Sequence, residues 1–209
     1  MAGGRALMDV DEAFRLLERY GIPYPRYAIA SADEVERAAE DVGYPLVLKL
    51  VSREVVHKSD VGGVVTGIRG PEELRAALAE MERRLGHVRD RRYMVQRMVR
   101  GVELAAGGLR DRVFGPVVMF GLGGILIELY RDVSFRLAPI DRREALEMIG
   151  EIRASRILDG YRGLPPVDRE RLADVLVSLS RLIAENEEIA EIDINPLICS
   201  GDEVYAVDR

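Results

Sequence analysis

EIDINPLICSGDEVYAVD (Glu191–Asp208) reads as two strands folded about a two-residue Gly-Asp turn. Gly-Asp between runs rich in β-branched residues is the pattern of a tight antiparallel hairpin. Such a turn fixes the register: Ser200 faces Glu203, and counting outward along both arms sets Asn195 opposite Asp208. Alternation then puts Glu191 and Asp193 on the Asn195 face, with Ile192 and Ile194 turned to the core. Pro196 has no N–H to donate, so it is the point where a bulge can shift that register.

Upstream, further strands pair off in sequence. YPLVLKLV and GVVTGI flank the loop SREVVHKSDVGG, and YMVQRMV and ELAAGGL are separated by Arg100-Gly101. GPVVMFG, ILIEL and SFRLAPI read as three more strands, and PRYAIA as a short one. Helices start at recognisable caps. Asp9 opens one that Gly21 closes, Ser31–Glu34 has the capping-box spacing, Pro71 sits in a first turn, Asp141 pairs with Glu144, and Asp168 opens the longest. Sequential strand pairs among helices predict an α+β fold rather than a parallel doubly wound sheet.

Composition narrows the class. The chain has 209 residues and a net charge of -6, which argues against a nucleic-acid partner or an anionic membrane surface. One cysteine, Cys199, excludes an intrachain disulfide and fits a reducing compartment. The apolar stretch Phe114–Tyr130 is broken by glycines and is too short for a span of ~20 residues. The N-terminus lacks an apolar run of signal-peptide length, so a cytoplasmic protein is expected. Arginine-rich, amide-poor usage is also what heat adaptation or a GC-rich genome produces.

Against that usage, Lys49, His57 and Lys58 stand out. They include both lysines and one of the two histidines, gathered just before Gly62-Gly63. Paired glycines let backbone N–H groups approach an anion, and a strand lysine can neutralise a phosphate as a point charge. The spacing is not that of a Walker loop, and a solvated hairpin loop accounts for it as well. A neutral imidazole such as that of His57 is a competent nucleophile towards a phosphoryl group, although most loop histidines are surface residues.

Three other sets carry chemistry. Asn195 and Asp208, as cross-strand neighbours with Cβ atoms ~5 Å apart, can offer oxygens to one Mg²⁺, and Asp193 is a third candidate. Gln96, Arg97, Met98 and Val99 end a strand, where released backbone groups can read an adenine edge; Glu103 follows as a carboxylate suited to ribose hydroxyls. Arg136, after Arg131 and Asp132, offers positive charge to phosphate or a structural ion pair. GLGG (Gly121–Gly124) reads as a tight turn in preference to a ligand loop.

Taken together, GYPLVLK, HKSDVGGV, VQRMVRGVE, GLGGILIELYRDVSFRLAPI, DGYRG and EIAEIDINPL resemble the β subunit of ADP-forming acyl-CoA (acetyl-CoA) synthetases. That family is an ATP-grasp unit related to the nucleotide-binding part of succinyl-CoA synthetase. The resemblance runs from about Val10 to Asp208 and departs at IRASRIL (Ile152–Leu158), where a Pro-containing segment is more usual. It implies an ATP-grasp fold with nucleotide bound between two β-sheets, an N-terminal lobe over 1–97 and a C-terminal lobe over 98–209.

By the same resemblance Lys49 falls on the phosphate-binding lysine, Gln96 to Val99 on the adenine hinge, and Glu103 on the ribose-binding carboxylate. Asn195 and Asp208 match the Mg²⁺ ligands, and His57 matches a phosphohistidine. The implied enzyme is an acid–thiol ligase using ATP/ADP, active with a CoA-binding α subunit in an α2β2 heterotetramer. Two alternatives compete: a non-catalytic ATP-binding module regulating an acyltransferase-type partner, and an ATP-grasp carboxylate–amine ligase. Intact His57, Asn195 and Asp208 weigh against the first, and the short N-terminus against the second.

Overall fold

The computed structural model describes residues 7–55, 58, 61–124, 129–160 and 163–208. The chain divides into two compact units, Pro25–Val99 and, in the other, residues up to Tyr24 together with Arg100 onward. The lobe boundary thus falls two residues later than expected, and the first helix belongs with the C-terminal unit. A division at one point, into 1–97 and 98–209, does not describe the structure.

That helix, α1 (Val10–Arg19), buries Ala13, Phe14, Leu16 and Leu17, the stripe expected of an amphipathic helix. Asp9 caps it by accepting from the Asp11 N–H at 3.0 Å. It ends because Gly21 takes φ +68°, which lets Ile22 N–H reach Leu17 O at 3.0 Å and Gly21 N–H reach Glu18 O at 2.9 Å. These are the two bonds of a Schellman ending. Ile22 and Leu17 are both buried beside them.

The Pro25–Val99 unit holds β1 (Tyr27–Ala30), α2 (Val35–Val42), β2 (Leu46–Val51), β3 (Val64–Ile68), α3 (Pro71–Leu85) and β4 (Arg92–Arg97). Its sheet has the order β1-β4-β2-β3, every pair antiparallel. Leu46, Leu48, Leu50, Tyr93 and Val95 turn to one face and pack with Val35, Ala39, Leu74, Met81 and Leu85 of the helices. The Ser31–Glu34 capping box does not form: Ser31 Oγ donates to the Glu34 carboxylate at 2.7 Å, and α2 starts after the turn.

The other unit continues with β5 (Val102–Asp111), β6 (Gly115–Leu122), β7 (Val133–Leu137), α4 (Arg142–Glu151), a 3-10 helix (Arg153–Asp159), α5 (Arg169–Glu185), β8 (Glu191–Ser200) and β9 (Glu203–Ala206). Its sheet, also antiparallel throughout, runs β7-β6-β5-β8-β9. Leu104, Ala106, Phe120, Ile194 and Leu197 are fully buried, as are Leu172, Leu176, Leu179 and Ile183 of α5, which contacts β5 and β6. Both sheets match the α+β expectation.

ILIEL falls largely outside the described residues, and Leu129 and Tyr130 at its end are helical, not extended. At IRASRIL, where the family pattern is broken, the chain forms the 3-10 helix. The Asp132 carboxylate caps it, accepting from Arg153 N and Ala154 N at 2.8 Å each.

Candidate functional site

The closing hairpin keeps the register that its turn dictates. Ser200 pairs with Glu203, Cys199 with Val204, Ile198 with Tyr205 and Leu197 with Ala206. Val207 N–H donates to Pro196 O at 3.2 Å, which carries the same count to the threshold of Asn195 and Asp208. The bulge expected near Pro196 forms on the other side of β8. Against β5, Leu104 pairs with Leu197 and Ala106 with Ile194, leaving Asn195 and Pro196 opposite Ala105 alone. Two residues opposing one is a β-bulge. The alternation runs unbroken through Ile194, which leaves Glu191, Asp193 and Asn195 opposite it in order, and breaks beyond it, where Ile194 and Leu197, three residues apart, are both buried.

Asp193 is nevertheless electrostatically coupled to the hairpin end. Although Asp193 is exposed, local desolvation, and then the carboxylates of Glu191 and Asp208, push its carboxyl above the ordinary carboxylate range. Carboxylates crowded in this way favour a cation among them. The oxygen donors of Asn195, Asp208 and Asp193 fit Mg²⁺. No preformed cage of three or more His, Cys, Asp or Glu side chains exists among the described residues.

GLGG proves to be more than a turn. Gly124 N–H donates to Asn195 Oδ1 at 2.9 Å. A Cβ on Gly124 would lie 2.7 Å from Glu103 Oε2, and one on Gly123 would lie 2.3 Å from Leu104 O. Gly123 N–H also donates to Glu103 O at 3.0 Å. The loop therefore brings Glu103 and Asn195, predicted from separate motifs, to one place. A signal existed: two adjacent glycines after a strand permit close backbone approach.

The Pro25–Val99 unit holds a different set. Val47 pairs with Gln96 and Lys49 with Met94, so these four share the sheet face opposite the helix-packed core. Lys49 is 4% exposed and Gln96 fully buried. Both ends of the Gln96 amide lack a hydrogen-bond partner among the described residues. The hinge backbone is less open than expected. Arg97 N–H donates to Arg26 O at 2.8 Å and Met98 N–H to Pro45 O at 2.9 Å. Those two donors are occupied, and β4 ends at Arg97, before Met98 and Val99.

His57 lies outside the described residues. Nearby, Gly63 N–H donates to Lys58 O at 2.7 Å, so this N–H closes a turn instead of facing an anion. Gly62 takes φ +72°. Arg136 meets the second of its two expected partners, a carboxylate. It shares a row with Val118 and Gly108, and Gly108 in turn pairs with Ile192. Its guanidinium binds both oxygens of Glu151 on α4, one at 3.0 Å. The hydrogen bonds from Arg136 hold the Glu151 carboxyl below its usual range. Arg136 is thus ion-paired here, because α4 brings Glu151 to β7.

A family model described as an ATP-grasp domain matches residues 1–209. The acetate–CoA ligase [ADP-forming] I subunit beta of Pyrococcus furiosus is 44% identical, over 99% of this chain and 91% of that protein. The acetate–CoA ligase [ADP-forming] I of Archaeoglobus fulgidus is 46% identical over 94% of this chain, which spans 29% of its length. Among solved structures, the dinucleotide-forming acetyl-coenzyme A synthetase 1 of Ca. Korarchaeum cryptofilum, with coenzyme A and Ca-AMPCP, superposes with a TM-score of 0.91 at 44% identity. The match covers 98% of this chain and 92% of that one. In a further structure of that protein, with coenzyme A and Mg-AMPPCP, the phosphohistidine segment points towards the nucleotide binding site; its TM-score is 0.83 at 43% identity, covering 97% of this chain and 90% of that one. No helix among the described residues is long and apolar enough to cross a membrane.

Proposed function

The chain belongs to the ATP-grasp family, and from that membership we propose that it is the nucleotide-handling subunit of an ADP-forming acyl-CoA synthetase. The near full-length match to a relative named as a β subunit carries this reading. The overall reaction is acyl-CoA + ADP + phosphate ⇌ carboxylic acid + CoA + ATP, completed by a CoA-binding α subunit in a cytosolic α2β2 assembly.

In this reading the chain's own step is phosphoryl relay. Phosphohistidine at His57 gives its phosphoryl group to the terminal oxygen of ADP. The N–P bond breaks as the O–P bond forms, and the imidazole nitrogen keeps the lone pair. Lys49 neutralises nucleotide phosphate, the segment from Gln96 to Val99 holds the base, and Glu103 accepts the ribose hydroxyls. Asn195, Asp208 and Asp193 hold Mg²⁺, which when bound supplies charge neutralisation to the phosphate oxygens. Such transfer depends on positioning and electrostatics more than on covalent help. The tie between Glu103, Gly124 and Asn195 supports it, because it fixes ribose and metal groups relative to each other.

The test is denaturing separation after incubation of the chain and its α partner with γ-labelled ATP and Mg²⁺. An acid-labile label on this chain, absent in His57→Asn while nucleotide binding persists, is expected. A label that survives in His57→Asn removes the histidine from the reaction, and a complex that never labels removes the relay.

A further inference from the structure

The sheet of the C-terminal unit carries an apolar patch on the face turned away from α5. Adjacent glycines of β5 mark the two faces. A Cβ on Gly108 would lie 3.0 Å from Ile183 of α5, whereas one on Gly107 would meet Met119 Cε at 3.6 Å. Residues on the Gly107 side fall in two rows across β5, β6 and β7: Leu109, Val117 and Leu137, then Gly107, Met119 and Phe135. Leu109, Phe135 and Leu137 are 41%, 56% and 60% exposed.

Beyond the outer row, the tip of the β5–β6 hairpin adds Val113 and Phe114, 82% and 69% exposed. Asp111 holds that tip, its Oδ1 accepting from Val113 N–H at 2.8 Å and Phe114 N–H at 2.9 Å. Gly115, at φ +78°, returns the chain into β6. The exposed side chains of the rows and the tip together present on the order of 500 Å² of apolar surface, and patches larger than a few hundred Å² mark interaction sites. Glu103 lies on the same side of β5 but at its start, about 20 Å along the strand from Leu109. The ribose and metal groups proposed above are thus at the other end of this face, and the patch is no part of their site.

The two ligases compared above differ in how they carry this unit. The matched stretch makes up 29% of the Archaeoglobus protein and 91% of the Pyrococcus subunit beta. Where the rest of an enzyme is on another chain, a standing contact replaces the peptide linkage, and permanent interfaces are the more hydrophobic kind. An interface of ordinary size covers ~800 Å² on each partner, so a patch of this area suffices for its apolar centre. We propose that this face, from the outer rows of β5, β6 and β7 to the hairpin tip, docks the CoA-binding partner chain. The inference rests on the function proposed above. A partner seated there leaves the Glu103 end of the face open to nucleotide.

The experiment compares wild type, Phe114→Glu, Phe135→Glu and the double variant, with Leu7→Glu as an exposed apolar control off the patch. Four quantities are measured on the full chain: Kd for the α partner, Kd for Mg·ADP, Tm, and the mass of the free chain in solution. Each single patch variant is expected to weaken α binding about ten- to a hundredfold, and the double variant to abolish it, with Mg·ADP affinity within about twofold of wild type. Leu7→Glu keeps wild-type α binding. If Phe135→Glu lowers Tm, Val113→Ser with Phe114→Glu at the exposed tip takes its place. Unchanged α affinity in the double variant overturns the docking site and leaves the phosphoryl relay intact. A free chain that is dimeric in wild type and monomeric in the double variant, with α affinity kept, gives the face to a second copy and also overturns it. A complex that forms through this face but never labels from γ-labelled ATP overturns the relay and leaves the docking site standing. A wild-type chain that binds no α partner overturns both.

Discussion

The two units treat their candidate polar groups in opposite ways. In the C-terminal unit, Asn195 is engaged by Gly124 N–H, and the Glu103 carboxylate lies against the same glycine. In the Pro25–Val99 unit, Gln96 is fully buried with neither end of its amide satisfied among the described residues. A buried, unmade hydrogen bond costs far more than a made one returns. The C-terminal set is therefore compatible with stability of the free protein, whereas Gln96, unpaired among the described residues, opposes it. Local conflict with foldability of this kind is what functional positions show.

The C-terminal half of the comparison breaks most sharply at Gly123. Its missing side chain is what lets the loop reach Glu103, because a Cβ there would lie 2.3 to 2.8 Å from three backbone atoms of Leu104. Backbone cannot swing aside as a side chain can, so Gly123→Ala is expected to destabilise by about 3 kcal/mol or more. For a chain of this length that lowers Tm by roughly 6–12 °C. Gly150 in α4 has nothing within 4 Å of an added Cβ, so Gly150→Ala is the control and should be neutral or gain up to ~1 kcal/mol. Equal Tm values for the two variants would mean the loop is not packed as described.

Gln96→Leu tests the other half and has the opposite sign. Leucine fills nearly the same volume without polar atoms, so the free protein should gain about 1–3 kcal/mol. The stabilisation that added Mg·ADP supplies, read as a further rise in Tm, should shrink in the variant. If Gln96→Leu destabilises the free protein instead, the amide has a partner and the contrast between the units disappears.

What the sequence disclosed follows the range of the interactions involved. The hairpin register was legible because a two-residue turn sets it locally, and the caps at Asp9, Asp141 and Asp168 were legible for the same reason. The bulge near Pro196 was anticipated but not its side, since that depends on β5, about ninety residues upstream. The ion pair of Arg136 was not legible because α4 delivers Glu151 from 15 residues downstream. The capping-box spacing at Ser31–Glu34 misled, because side chains that can cap can also bond to each other. GLGG was undervalued: glycine pairs announce close approach but not what is approached.

Alkaline titration separates the units with the smallest effect. Burial pushes the Cys199 thiol up from 9.0 to about 12, and burial followed by the Glu82 hydrogen bond pushes the Tyr93 hydroxyl from 10.0 to about 12. Both groups are neutral when folded, and the unfolded chain releases their protons first. Their stabilisation is therefore intact below the unfolded values and is lost as pH rises towards the folded ones. Between pH 9 and 10 the decline comes first from Cys199 in the C-terminal unit, about 1 kcal/mol by pH 10. Above pH 10 Tyr93 joins, with Tyr24 and Tyr44, whose values are also raised. Denaturant midpoints from pH 8 to 10.5 should show that two-stage fall. In Cys199→Ala the first stage should vanish and the second persist. A first stage unchanged in Cys199→Ala would mean that the thiol does not govern the early loss, and the alkaline limit would then lie elsewhere than the closing strands.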